Sequence, residues 1–203
     1  MTGYRRAYVG MQCFWGVESS FAKIDGVMRT RVGYAGEITE VQFDEKVVSY
    51  ERLLDWFWEH HNPTERHKKQ YQSAILYIDD EQKRIAEQGL KHIQEKYGNQ
   101  KVETYVKKLD QFYQAEDYHQ KYWLRCQSAV LSKRQEREYR FQLNLNDQQV
   151  VESTLAAKVN AFLAGYDNFD VLKNLAAQHH LSDDVTKLIE EIARSGGDPR
   201  ACH

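Results

Sequence analysis

Residues 4–26 read YRRAYVGMQCFWGVESSFAKIDG, and this stretch decides the fold. Residues 4–9 carry the alternation of an opening strand. From residue 15 the period changes: Val17, Phe21 and Ile24 recur at helical spacing, which predicts a helix over residues 15–23, closed by Gly26. Cys13 therefore stands where a strand hands over to a helix.

The same alternation of periods continues outward. Residues 27–34 and 38–43 read as strands, the second through Ile38, Glu40, Val41, Gln42 and Phe43. Ser49 caps an expected helix over residues 50–60, with Leu53, Leu54, Phe57 and Trp58 as its apolar face and Asn62-Pro63-Thr64 as its stop. A strand over 73–78, an amphipathic helix over 80–97 ended by Gly98, and a strand over 102–109 follow. A short helix is expected around 115–124. The order predicts an α+β fold, a mixed-sheet two-layer sandwich with a ferredoxin-like core. Beyond Cys126 the pattern is helical throughout, over residues 129–140, 148–163, 170–178 and 182–194. The expected division is a catalytic domain over residues 1–126 and a helical C-terminal extension over 127–203.

Lys plus Arg number 28 against 30 Asp plus Glu, so no global charge draws the chain to nucleic acid or to an acidic membrane. No apolar run is long enough to cross a membrane, and residues 1–14 lack the apolar block of a secretory signal. The basic residues Lys133, Arg134, Arg137 and Arg140 alternate with Glu136 and Glu138, the pattern of a solvated helix face. Three widely spaced cysteines, Cys13, Cys126 and Cys202, do not form a secreted disulfide framework. They fit a reducing compartment, and a cytoplasmic location is expected.

At a helix N-terminus, unpaired amide N–H groups and the dipole favour a thiolate, the reactive form of cysteine. Placement alone leaves two readings of Cys13 open: a nucleophile, or a small buried hydrophobe. Phe14 and Trp15 are equally open, as core aromatics or as the walls of a pocket for an S-methyl group.

Five stretches, in order, resemble the type A peptide methionine sulfoxide reductases: CFWGVE at 13–18, GYAG at 33–36, FWEHHNPT at 57–64, QYQSAI at 70–75 and FYQAEDYHQ at 112–120. The resemblance implies thiol-dependent reduction of the S epimer of methionine sulfoxide. Cys13 is implied as the nucleophile, Glu37 as the proton donor, Tyr71 as a hydrogen-bond donor to the sulfoxide oxygen, and Phe14 and Trp15 as the methyl-group pocket. Glu116, Asp117 and His119 are implied as supporting residues. Attack would leave a sulfenic acid on Cys13, which condenses with a second thiol. The implied partners are oxidised proteins or peptides as substrate, and thioredoxin or a small thiol as reductant. Neither cofactor nor metal is implied, and a monomer is expected.

Four features depart from the family's pattern. Met11-Gln12 replaces the usual Gly-Gly before the cysteine. The stretch between Gly36 and Glu37 is shortened, with loss of a second oxygen-binding tyrosine. The loop from Thr64 to Tyr71 is also shortened; Arg66 stands where an aspartate is usual, and Glu65 is the nearest carboxylate. The usual resolving-cysteine segment is absent, leaving Cys202 and Cys126 as candidate resolving thiols, with Cys202 preferred for its place in the tail. These losses motivate a rival reading, a weakened or inactive homologue that only binds methionine-like side chains. A peroxide-reducing thiol enzyme and a metal site at His60, His61 and His67 are further alternatives.

Overall fold

The computed structural model describes residues 3–127, 143 and 145–198. Its centre is a six-stranded sheet built from β1 (Tyr4–Gly10), β2 (Val27–Tyr34), β3 (Glu37–Asp44), β4 (Ala74–Tyr77), β5 (Tyr105–Lys108) and β6 (Tyr113–Gln114), in the order β5-β4-β1-β3-β2-β6. The central four, β4-β1-β3-β2, are antiparallel, with α1 (Phe14–Phe21) joining β1 to β2 and α2 (Tyr50–Glu59) joining β3 to β4. That is the ferredoxin-like arrangement. β5 adds parallel to β4, which needs a crossover, and α3 (Asp80–Tyr97) supplies it.

One face of the sheet carries Ala7, Val9, Val41, Phe43 and Ile75 against Val17, Phe21, Leu53 and Phe57 of α1 and α2. Alternation along β3 sends Thr39 and Val41 toward these helices and Ile38 and Glu40 to the other face. There Tyr8, Ile38, Ala74 and Leu76 form a smaller cluster.

Four further helices, α5 (Asp147–Glu152), α6 (Thr154–Leu163), α7 (Phe169–His179) and α8 (Asp183–Arg194), pack with α4 (Tyr122–Cys126) around a second core that includes Trp123, Leu124, Phe162 and Ile189. Ala157 and Ala161 of α6 meet Ala22, so the backbones of α1 and α6 approach closely. Lys158 reaches past them and donates to Ala22 O and Ile24 O, each at 2.8 Å, closing the C-terminal end of α1 with a cation.

Several boundaries differ from expectation, each for a local reason. α1 begins at Phe14 and is capped at Ala22, and Gly26, at φ 86°, belongs to the turn beyond it. β5 keeps only four of the expected eight residues, because β4 offers only Ala74–Tyr77 for pairing. The helix expected at 115–124 is a 3₁₀ turn, Asp117–His119, then a break at Lys121 with φ 50°, then α4. β6 was not foreseen; it is two residues long and exists through its pairing with Gly33 and Tyr34. The helix expected at 148–163 divides at Ser153, whose side chain accepts from Ala156 N and caps α6. The helix expected at 129–140, its basic face, and Cys202 lie outside the described residues.

A buried ion pair joins the two cores. The Glu18 carboxylate accepts from Lys121 N at 2.7 Å and from Thr30 Oγ1 at 3.1 Å, and lies 3.0 Å from Lys121 Nζ. Lys121 Nζ donates onward to Thr30 O and to Val151 O. Both side chains are fully buried. Lys121→Met leaves a charge stranded in the interior and is expected to cost about 3–5 kcal/mol. The double variant Glu18→Gln/Lys121→Met is expected to recover part of that loss, and urea unfolding of the two variants checks it.

Candidate active site

β1 ends against β3 at Gly10, where a Cβ would stand 3.0 Å from Glu37 O, so the two strands are in close contact. The chain then turns through Gln12 at φ 75°, a left-handed conformation that suits glycine. The path is thus one that the Gly-Gly of the related motif adopts without strain. In a residue with a Cβ it costs on the order of 1 kcal/mol. Gln12 gains a partner: its Nε2 lies 2.8 Å from Nε2 of His67, which ties the cysteine turn to the shortened 64–71 loop.

Cys13 is the N-cap residue of α1, with φ −64° and ψ 117°, and is half-buried. Its thiol lines a cavity of about 370 Å³ with Met11, Gln12, Lys23, His60, His61 and Ala164.

Glu37 opens β3 and faces the helix side of the sheet. The Phe14 backbone N–H and the Tyr71 side chain lie near enough to its carboxyl to lower its pKa. Phe14 is the residue after Cys13, so the acid sits at the first turn of the cysteine's own helix. Burial pushes the carboxyl pKa above its ordinary value, and these two groups offset only part of that rise. Tyr71 closes a 3₁₀ turn, Lys69–Tyr71, that carries its phenol to Glu37. The structure therefore brings Glu37 and Tyr71 to the first turn of the helix that Cys13 caps.

The two aromatics divide their work. Phe14 is buried among Val32, Ala115 and Trp15, with the His119 ring centroid at 5.2 Å. Trp15 is half-buried and stacks on Tyr122, centroids 3.7 Å apart and planes 6° from parallel. Its Nε1–H donates to His119 Nδ1 at 3.1 Å, which fixes the indole and assigns the histidine's acceptor nitrogen. His119 thus acts on the Trp15 indole. Glu116 is exposed and accepts from Tyr34 Oη at 2.7 Å; its own backbone N–H and that phenol hold its pKa below the ordinary value. Asp117 is exposed at the start of its 3₁₀ turn. Cys126 ends α4, half-buried.

The remaining expectations can be located as well. Glu65 is exposed and lies 3.6 Å from His67. His60 and His61 place Nδ1 at 2.8 Å and 2.6 Å from Trp56 O and Phe57 O, and so cap the last turn of α2. Among the described residues no three His, Cys, Asp or Glu side chains cluster as a metal site. None of the described helices is long and apolar enough to cross a membrane.

The sequence model of the family described as peptide methionine sulfoxide reductase matches residues 5–39 and 36–152. The chain belongs to the peptide methionine sulfoxide reductase family. A relative from Drosophila melanogaster, named peptide methionine sulfoxide reductase, is 36% identical over 184 residues, covering 82% of this chain and 71% of its own. The MsrA of Methanococcus maripaludis is 35% identical over 157 residues, 65% of this chain and 99% of that protein. Among solved structures, methionine sulfoxide reductase A of Corynebacterium diphtheriae superposes with a TM-score of 0.56 at 27% identity, covering 62% of this chain and 76% of that one. Mxr1 of Saccharomyces cerevisiae, in an unusual oxidised form, gives 0.52 at 28% identity, covering 66% and 89%.

Within this reductase, sequence reasoning missed the residues that hold the site rather than form it. Gln120 clamps β2 by donating to Val32 O and Ala115 O and accepting from Val32 N. Lys121 holds Glu18, and the Tyr105 hydroxyl lies against Gly36 beside Glu37. A polar residue directly after a DYH motif gave no sign of burial.

Glu37 can deliver a proton only while it holds one. Activity is therefore expected to fall as pH rises through its raised pKa. Glu37→Gln keeps the shape but has no proton to give, and its expected loss is about 100- to 10,000-fold in kcat. Initial rates across pH for both proteins check this; an unchanged alkaline limb in the variant excludes Glu37 as the donor.

Proposed function

We propose that this protein reduces the S epimer of methionine sulfoxide in oxidised proteins and peptides. The observation that carries the reading is the placement of Glu37, with Tyr71 beside it, at the N-terminal turn of the helix that Cys13 caps. The Cys13 thiolate, favoured at a helix N-terminus, attacks the sulfoxide sulfur. Glu37 protonates the oxygen and Tyr71 hydrogen-bonds it. The new S–S linkage then breaks as the hydroxyl passes to the Cys13 sulfur. Methionine leaves reduced, and Cys13 is left oxidised as a sulfenic acid. Trp15 and Phe14 receive the methyl group.

Cys202 is the resolving thiol in this reading. Gly165 and Gly197 hold the start of the tail beside α6: a Cβ on Gly197 would stand 2.6 Å from Ala164 C, and Asp198 N donates to Leu163 O at 2.7 Å. Ala164 lines the cavity that contains Cys13. Four further residues reach about 14 Å, enough to bring Cys202 to that cavity. Condensation joins the two sulfurs and releases water. A dithiol such as thioredoxin then returns both to thiols by exchange. That requirement suits a reducing compartment, and the cytoplasm is the proposed setting. Cys13, Glu37 and Tyr71 come from one chain, so a monomer suffices.

With dithiothreitol as reductant, the wild-type protein is expected to turn over the S epimer of a methionine sulfoxide peptide and to leave the R epimer unchanged, while Cys13→Ser is inactive. Binding without turnover by the wild type would instead identify a non-catalytic homologue. After one turnover without reductant, peptide mapping is expected to find Cys13 bridged to Cys202. The Cys126→Ser variant should give the same bridge, and a Cys13–Cys126 bridge would overturn the assignment.

A further inference from the structure

A second, larger groove of about 720 Å³ is lined by Tyr34 and Ala35, just before Gly36, and by Gln72, just after Tyr71. Two contacts join it to the chemistry. His67 lines it and is bonded to Gln12, the residue before Cys13. Ala35 and Gln72 also line it, next to the turn and the loop that deliver Glu37 and Tyr71. Gly36 and Gln70 O touch across that junction: a Cβ on Gly36 would stand 3.9 Å from the oxygen.

The groove is basic. Arg66 and Lys69 come from the shortened loop, and Lys107 and Lys108 from β5. All four are exposed, and none forms an ion pair among the described residues. Of the carboxylates that line it, Glu103 is already paired with Lys101 at 3.1 Å, which leaves Asp110 against the four cations. Lysines on an edge strand protect that edge from pairing. Edge protection does not require Arg66 and Lys69, which converge on the same groove from a different segment. Tyr34 and Tyr113, cross-strand partners that are 40% and 59% exposed, offer flat aromatic surface at the rim.

We propose that this groove binds the residues flanking the oxidised methionine of a peptide substrate and selects acidic ones. The proposal rests on the methionine sulfoxide reductase reading of the site. The shortened loop, which removed a family carboxylate and left Arg66 there, converts a loss near the chemistry into a charge preference beside it. A concave, tyrosine-edged cleft of this size suits a stretch of extended peptide.

The test compares three peptides that share a central methionine sulfoxide flanked by Glu, Gln or Lys, with dithiothreitol as reductant. For the wild type, kcat/KM for the Glu peptide should exceed that for the Lys peptide by about tenfold at low salt, the scale of a few exposed ion pairs acting together. Half-molar salt should bring the ratio close to one. Arg66→Glu/Lys69→Glu and Lys107→Glu/Lys108→Glu should each lower or invert the ratio; because the ratio is taken within one protein, it is insensitive to changes in overall rate. A wild-type ratio near one with normal turnover of the Gln peptide, or a ratio that neither variant changes, overturns the proposal alone. Failure to turn over any of the three peptides defeats the enzymatic reading beneath it. If the charge reversals change only a thioredoxin-driven rate and leave the dithiothreitol ratios untouched, the groove serves the reductant and the proposal is wrong.

Discussion

The buried pair of Glu18 and Lys121 is the interaction on which the arrangement depends. Glu18 lies in the middle of the cysteine's helix. Through it that helix is bound to Thr30 of β2, to the Lys121 backbone at the start of α4 and, by way of Lys121 Nζ, to Val151 of α5. Such a pair contributes little net stability once desolvation is counted, but removing one partner is severe. Its use here is registration. Lys158 fixes the C-terminal end of the same helix through Ala22 O and Ile24 O. With its middle and one end held, the helix presents its first amide N–H groups at one place, and that place is Glu37.

The chemistry then follows from two environments that push a thiol and an acid in opposite directions. A helix N-terminus favours the ionised form of a thiol, and Cys13 stands at one. Burial favours the neutral form of Glu37. In the proposed mechanism a nucleophile and a proton donor can therefore coexist at one pH, the condition for displacing a poor leaving oxygen. The helical extension contributes to this pocket even though its described residues supply no group to the chemistry. Its small residues Ala157 and Ala161 let α6 approach α1, and Ala164 lines the cavity that Cys13 also lines.

The strands and helices with strong periodicity were legible in the sequence. β1 to β4, α2 and α3 follow the alternation and capping signals, and Ser49 caps α2 as its side chain implies. Cys13 and Tyr71 stand inside stretches that resemble the family's, whereas Glu37, just beyond Gly36, is placed only by its count along the chain. What could not be read was long-range. β6 exists only by pairing with β2, and the break at Lys121 is set by a buried anion 103 residues away in the chain. Ser153 could equally well have stayed inside a helix. Gln12 reads as a disruption of the glycine turn, whereas its backbone keeps a glycine's conformation and its side chain finds His67. Each of these is a local rule overridden by a tertiary partner.

The most direct test of the central claim uses a protein in which Cys13 is the remaining thiol, with Cys126→Ser and Cys202→Ser. Mixed with excess peptide methionine sulfoxide and no reductant, it should convert one sulfoxide to a methionine residue per protein molecule, gain the mass of one oxygen atom, and carry a sulfenic-acid-specific label on Cys13. Conversion to methionine without that modification on Cys13, or no conversion at all by correctly folded protein, would contradict the account.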